Sequence, residues 1–138
     1  MAACKILIID DDLDDVEILA DAFKSTGVES VHYEHTAMQA FMYLEKFKSP
    51  KDLPKLIVTD SLLPGITGAE FLADLKKMEL YKHIHVIVLS GSKTNREIER
   101  YRKLGAIDYI IKPNSYDEYQ KVALDIKTRM DLLYFSFQ

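Results

Sequence analysis

Four apolar stretches of this chain close on residues that can handle a metal ion or a phosphate. Asp10, Asp11 and Asp12 follow KILII, Asp60 follows LIVT, Ser90, Gly91 and Ser92 follow VIVL, and Lys112 with Pro113 follows DYII. Aspartate is a common helix N-cap, so Asp11 or Asp12 has an ordinary structural use at the start of the next helix. That use does not extend to Asp60, after which no helix start is legible before Thr67. Two carboxylates about 4 Å apart repel by roughly 4 kcal/mol at an effective dielectric of about 20, so a cluster of them calls for a cation. Hard oxygen donors with a phosphate nearby favour Mg²⁺, with Mn²⁺ able to substitute. Lys112 can pair with Asp60 and with a phosphoryl group placed on it, and Ser90 can donate a hydrogen bond to a phosphoryl oxygen. A nucleotide cradle would need glycines and backbone amides after the first strand. Aspartates stand there instead, and neither GxGxxG nor GxxxxGK[ST] occurs.

For residues so far apart in sequence to meet, the elements carrying them must end at one edge. An open parallel α/β sheet does this, because ligands bind beyond the carboxyl ends of its strands. Five short runs rich in β-branched residues predict strands at 5–9, 30–33, 55–59, 85–89 and 107–111, and the first, third and fourth are apolar enough to be central. Between them apolar residues recur at helical spacing: Leu13, Val16, Leu19 and Phe23; Ala37, Phe41 and Leu44; Leu72 and Leu75; Ile98, Tyr101 and Leu104; Tyr119, Val122, Ile126 and Leu133. Helix starts are marked by Thr36 with Gln39, Thr67 with Glu70, Thr94 with Glu97 and Ser115 with Glu118, each a capping-box pattern. Gly27 and Gly105 stand where the first and fourth helices should stop. Residues 46–55, with two prolines and four lysines, read as a solvated connector.

The alternation gives an α/β fold, and 138 residues at 48% apolar composition suit one core and one domain over 1–138. Net charge −4 argues against non-specific binding to nucleic acid or an anionic membrane, and no DNA-binding half is expected. The amino end lacks a basic region and a long apolar run, so neither a signal peptide nor a membrane span is expected, and the location expected is cytoplasmic. Cys4 is the single cysteine, too few for an internal disulfide and without neighbours for zinc. Leu133, Tyr134, Phe135 and Phe137 near the carboxyl end either support a homodimer or pack back on their own domain.

The segments KILIIDDD, LIVTDSLLPGITGAEFL, VIVLSGS and GAIDYIIKP resemble, in order and spacing, the motifs of response-regulator receiver domains of two-component signalling. As a stand-alone unit the chain resembles the phytochrome-associated or chemotaxis-type single-domain regulators. The resemblance implies a flavodoxin-like, doubly wound α/β/α fold of five parallel strands in order 2-1-3-4-5 with five helices. It implies that Asp10, Asp11, Asp60 and the Leu62 carbonyl hold Mg²⁺, that Asp60 is the phosphoacceptor, and that Ser90 and Lys112 serve the phosphoryl group. It further implies that Ser90 and Tyr109 form the switch and that the bond before Pro113 is cis. The implied function is a phosphorylation-activated switch rather than a turnover enzyme. Its donor would be a sensor histidine kinase or phosphotransfer protein, and its output contact with an unknown downstream protein or onward phosphotransfer. The two variable positions flanking the acyl phosphate are Leu62 and Ser92, neither suited to orient water, which implies a long-lived phosphorylated form. Ile66 and Thr67 depart from the Met-Asp-Gly turn of many receivers, while Pro64, Gly65 and Gly68 are kept. Two rivals differ in kind. An aspartyl-phosphate phosphatase would place a second acid two residues after the nucleophile, where Leu62 stands, and a non-phosphorylated binding module would lack an acid or the lysine.

Overall fold

A computed structural model describes residues 6–135, with side chains through Leu133. Cys4, Lys5 and Phe137, and the side chains of Tyr134 and Phe135, lie outside that range. Five strands, β1 (Ile6–Ile9), β2 (Val31–Glu34), β3 (Leu56–Thr59), β4 (His85–Ser90) and β5 (Asp108–Ile111), alternate with α1 (Leu13–Ser25), α2 (Ala37–Leu44), α3 (Gly68–Lys77), α4 (Asn95–Lys103) and α5 (Tyr116–Phe135). All strand pairs are parallel and the order is β2-β1-β3-β4-β5. The expected topology is therefore present. Every residue of β1 and β3 is buried, as is β4 after His85, whereas β2 and β5 are half-exposed edges.

Alternation along the central strands divides their apolar residues between two layers. Ile6, Ile8, Leu56, Val58, Ile87 and Leu89 pack with Val16, Leu19 and Phe23 of α1 and Tyr119, Ala123, Ile126 and Met130 of α5. Leu7, Ile9, Ile57, Val86 and Val88 pack on the other face with Ala40 and Leu44 of α2, Phe71, Leu72 and Leu75 of α3, and Tyr101 of α4. Leu13, expected in the α1 stripe, is exposed instead: it is the first residue of the helix, and burial begins at Val16. The connector 46–55 is more than a solvated link. Pro50–Asp52 forms a 3₁₀ turn, and Leu53 plugs the α2/α3 core while Lys46, Lys48 and Lys51 stay in water.

All four expected capping residues cap. Gln39, Glu70, Glu97 and Glu118 donate their backbone N–H to the hydroxyls of Thr36, Thr67, Thr94 and Ser115 at 3.0, 3.1, 3.3 and 3.2 Å. Where the return bond forms, it reaches one residue further back: Gln39 accepts from His35 N–H and Glu118 from Asn114 N–H, each at 3.3 Å. Gly27 and Gly105 end their helices at φ 95° and 108°, the left-handed region where glycine has no Cβ penalty.

Candidate phosphoacceptor and metal site

The carboxyl ends of β1, β3, β4 and β5 bring the four polar segments together. Backbone bonds set their relative height: Asp60 N–H donates to Ile9 O at 2.9 Å, Asp10 N–H to Glu34 O at 3.2 Å, and Lys112 N–H to Ser90 O at 2.8 Å. Asp10 and Asp60 are buried, at 5% and 8% exposure, while Asp11 faces solvent. One oxygen from each of Asp10, Asp11 and Asp60 lies within 4.8 Å of the others. Asp12 does what its type allows as a cap, accepting the Asp15 N–H at 3.2 Å.

Lys112 is the cation of the site. Its Nζ lies 2.9 Å from Asp60 Oδ2, 2.9 Å from Asp10 Oδ2 and 2.7 Å from Asp15 Oδ2. Burial by itself pulls the Lys112 pKa down, but the hydrogen bonds to Asp15, Asp60 and Asp10 outweigh it and hold the ammonium above the ordinary lysine range. Asp10 is raised above the usual aspartate value by burial, against the lowering effects of the Asp12 N–H and of Lys112. Asp60 keeps its second oxygen on the Leu62 N–H at 3.2 Å.

The donor set suits a hard divalent cation. Asp10, Asp11 and Asp60 offer only carboxylate oxygen, and with Asp15 they leave four acids to one lysine. Ligand oxygens on Mg²⁺ stand at most about 4.2 Å apart, so small side-chain rotations would gather the three onto one ion. The Leu62 carbonyl is the remaining expected donor, on a residue 76% exposed.

On the opposite side of β3 and β4, Ser90 Oγ shares a hydrogen bond with Ser61 Oγ and accepts the Ser92 N–H at 3.2 Å. Tyr109 donates its hydroxyl to Ser92 O at 2.9 Å and lies 5.8 Å, ring to ring, from Tyr101. Tyr101 is buried and donates to Ser61 O at 3.3 Å. Burial, helped by Glu97, pushes its pKa up to about 12. Gly68, first residue of α3, passes so close that a Cβ there would sit 2.5 Å from Asp60 O and 3.0 Å from the Tyr101 hydroxyl.

Sequence reasoning missed Asp15, Ser61 and His35, whose Nδ1 donates to the Asp10 carbonyl at 3.0 Å. Asp15, three positions after a capping Asp12, is one helical turn along and so faces the same edge. Ser61, two residues past β3, comes level with Ser90 only through the pairing of β3 with β4. The expectation of a cis Lys112–Pro113 bond is corrected: no peptide bond among the described residues is cis. An X-Pro bond favours trans by about 0.5–1 kcal/mol, and Lys112 reaches all three acids without the isomer.

These ends of a 2-1-3-4-5 sheet define a class, the phosphorylation-dependent receiver switches. The response regulator receiver domain model matches residues 6–123, and the chain belongs to that family. Such domains accept phosphoryl groups from histidine kinases or phosphotransfer proteins and act as signalling switches rather than turnover enzymes. Two-component response regulator ORR12 of Oryza sativa subsp. japonica is 33% identical over 118 residues, covering 82% of this chain and 89% of the rice protein. The phosphorylated cyanobacterial phytochrome response regulator RcpA superposes with TM-score 0.80 at 29% identity, covering 91% of this chain and 92% of its own. The Mn²⁺-bound response regulator Rcp1, at TM-score 0.78 and 22% identity over 91% and 92% of the two chains, shares the fold.

Proposed function

We propose that Asp60 accepts a phosphoryl group from the phosphohistidine of a sensor histidine kinase or phosphotransfer protein, with Mg²⁺ held by Asp10, Asp11, Asp60 and the Leu62 carbonyl. The observation that carries this reading is the Lys112 ammonium 2.9 Å from Asp60 Oδ2, where it can also reach a phosphoryl oxygen once that group arrives. An Asp60 carboxylate oxygen attacks phosphorus as the P–N bond of the donor breaks, and the imidazole leaves with that electron pair. The metal, when bound, neutralises charge on acceptor and donor. Positioning and charge stabilisation by the chain do the rest, so a small acyl phosphate can replace the protein donor. Ser90 then donates to a phosphoryl oxygen, and Tyr109 turns toward the space Ser90 leaves.

The signal leaves across the α4 surface, which Tyr101 alone anchors as a fully buried residue. A cytoplasmic location and action as one receiver unit, by contact with a downstream protein or by onward phosphotransfer, complete the reading. No helix among the described residues is long and apolar enough to cross a membrane. Leu133 packs on the α1/α5 layer, which favours the inward over the dimeric use of the carboxyl end. Incubation with acetyl phosphate and Mg²⁺, followed by intact-mass measurement, should add one phosphate to the wild type and none to Asp60→Asn. An Asp60→Asn protein modified at the wild-type rate would overturn the assignment.

A further inference from the structure

One step along a strand turns the side chain to the other face of the sheet. Leu56 and Val58 pack beneath α1 and α5, and Asp60 continues their parity. Ile57 packs beneath α3, and Ser61 continues its parity. On β4 Val86 and Val88 share the α3 side, and Ser90 follows them. Two hydroxyls thus meet at the ends of adjacent strands, Ser90 closing β4 and Ser61 two residues past β3, with the parity opposite to that of Asp60. Ser61 and Ser90 are both buried, at 5% and 0% exposure, and hydrogen-bonded to each other.

The backbone of Ser61 is held from two sides: its carbonyl accepts the Gly68 N–H at 3.3 Å and the Tyr101 hydroxyl at 3.3 Å. Ser90 is followed by the exposed Gly91 and the half-buried Ser92, so of the two hydroxyls Ser90's is the freer to move. We propose that Ser61 is a positioning residue that latches Ser90 on the α3/α4 side of the sheet in the unphosphorylated protein. The proposal rests on the phosphoacceptor reading above. To serve a phosphoryl oxygen on Asp60, Ser90 must release Ser61. Ser90 gains a charged acceptor in exchange, whereas Ser61 is left in a buried position without its partner, and an unsatisfied buried hydroxyl is costly. The latch therefore biases the resting equilibrium against the switched arrangement. Because Ser92 N–H bonds Ser90 and Ser92 O holds the Tyr109 hydroxyl, the same bond helps keep Tyr109 in place.

The test is a double-mutant cycle on the full chain with Ser61→Ala, Ser90→Ala and the pair. Beryllofluoride with Mg²⁺, a phosphoryl mimic, is titrated and read by tyrosine fluorescence. The Tyr109 ring resonances of each metal-free, unphosphorylated protein are recorded by NMR. Ser61→Ala should tighten beryllofluoride binding by roughly three- to tenfold, the worth of one neutral hydrogen bond. It should also shift the metal-free Tyr109 resonances toward their beryllofluoride-bound values. In the Ser90→Ala background both effects should vanish. Equal or weaker binding by Ser61→Ala, or the same change without Ser90, overturns the latch while leaving Asp60 phosphorylation intact. If the wild type gains no phosphate from acetyl phosphate, the phosphoacceptor reading fails and the latch fails with it.

Discussion

Lys112 touches three carboxylates at once, which makes it the residue where electrostatic and chemical roles can be separated. Lys112→Met leaves Asp10, Asp15 and Asp60 facing one another with no counter-charge. In metal-free buffer that variant should lose about 2 kcal/mol of stability, less than for a fully buried pair because the lysine side chain is 18% exposed. Mg²⁺ should return much of the loss, while acyl-phosphate formation should still fall by about a hundredfold, as for removal of a transition-state cation. Denaturant titrations with and without Mg²⁺, paired with intact mass, check both parts, and unchanged metal-free stability would contradict the shared ion pair. The acids and the lysine were legible in the sequence because each interrupts an apolar run where a strand must end. Asp15 was not, since an acid in the first turn of a helix already has a full explanation in the helix dipole. Ser61 was hidden for a related reason: a lone serine beside Asp60 reads as loop until the pairing of β3 with β4 sets it against Ser90.

At the scale of elements, the contact between the end of β3 and the start of α3 sets how Asp60, the proposed phosphoacceptor, is held. Helix propensity alone would favour Gly68→Ala by about 0.5–1 kcal/mol. The space at Gly68 argues the reverse, because the new Cβ would meet backbone, Asp60 O at 2.5 Å, rather than a flexible side-chain tip. Gly68→Ala should destabilise by about 2 kcal/mol and slow phosphorylation as Asp60 is displaced. Chemical denaturation decides the matter by sign: a stabilised variant would mean that the loop relaxes and propensity wins. Elements were the most legible level of this protein. Thr36, Thr67, Thr94 and Ser115 announced four helix starts through a local bond that needs no tertiary context, and the nearly continuously apolar strands named themselves as central. Less legible were positions whose burial depends on where an element ends. Leu13 fits the α1 stripe by spacing but is exposed at the helix start, and Leu53 sits in a lysine-rich connector yet fills the core.

For the molecule as a whole, two buried tyrosines on opposite faces of the sheet tie stability to alkaline pH. Burial raises both Tyr101 and Tyr119 from the ordinary value of 10.0 to about 12, with Glu97 adding to the first and Asp15 to the second. Between those values the unfolded chain has lost protons that the folded chain retains. Their stabilising contribution is therefore complete below pH 10.0 and is lost as pH rises through about 12. The loss should be on the order of 2 kcal/mol for each tyrosine. Circular-dichroism unfolding from pH 9 to 12 should show the decline, and Tyr101→Phe should flatten part of it, the rest resting on Tyr119 and on Tyr81, which burial also raises; a pH-independent wild type would overturn the expectation. Chain order adds a consequence of a different kind. Lys112 lies 97 positions after Asp15 and 52 after Asp60, directly after the last strand of the sheet. Synthesis runs from the amino end, so every acid of the site leaves the ribosome before the one cation that reconciles them. A nascent chain cut short of β5 holds the whole acidic cluster but neither the lysine nor Tyr109, the proposed switch residue. On the proposed reading, the residues that receive the phosphoryl group and those that pass the signal on are completed together, within a few residues of each other, and a chain cut short of them should gain no phosphate from acetyl phosphate.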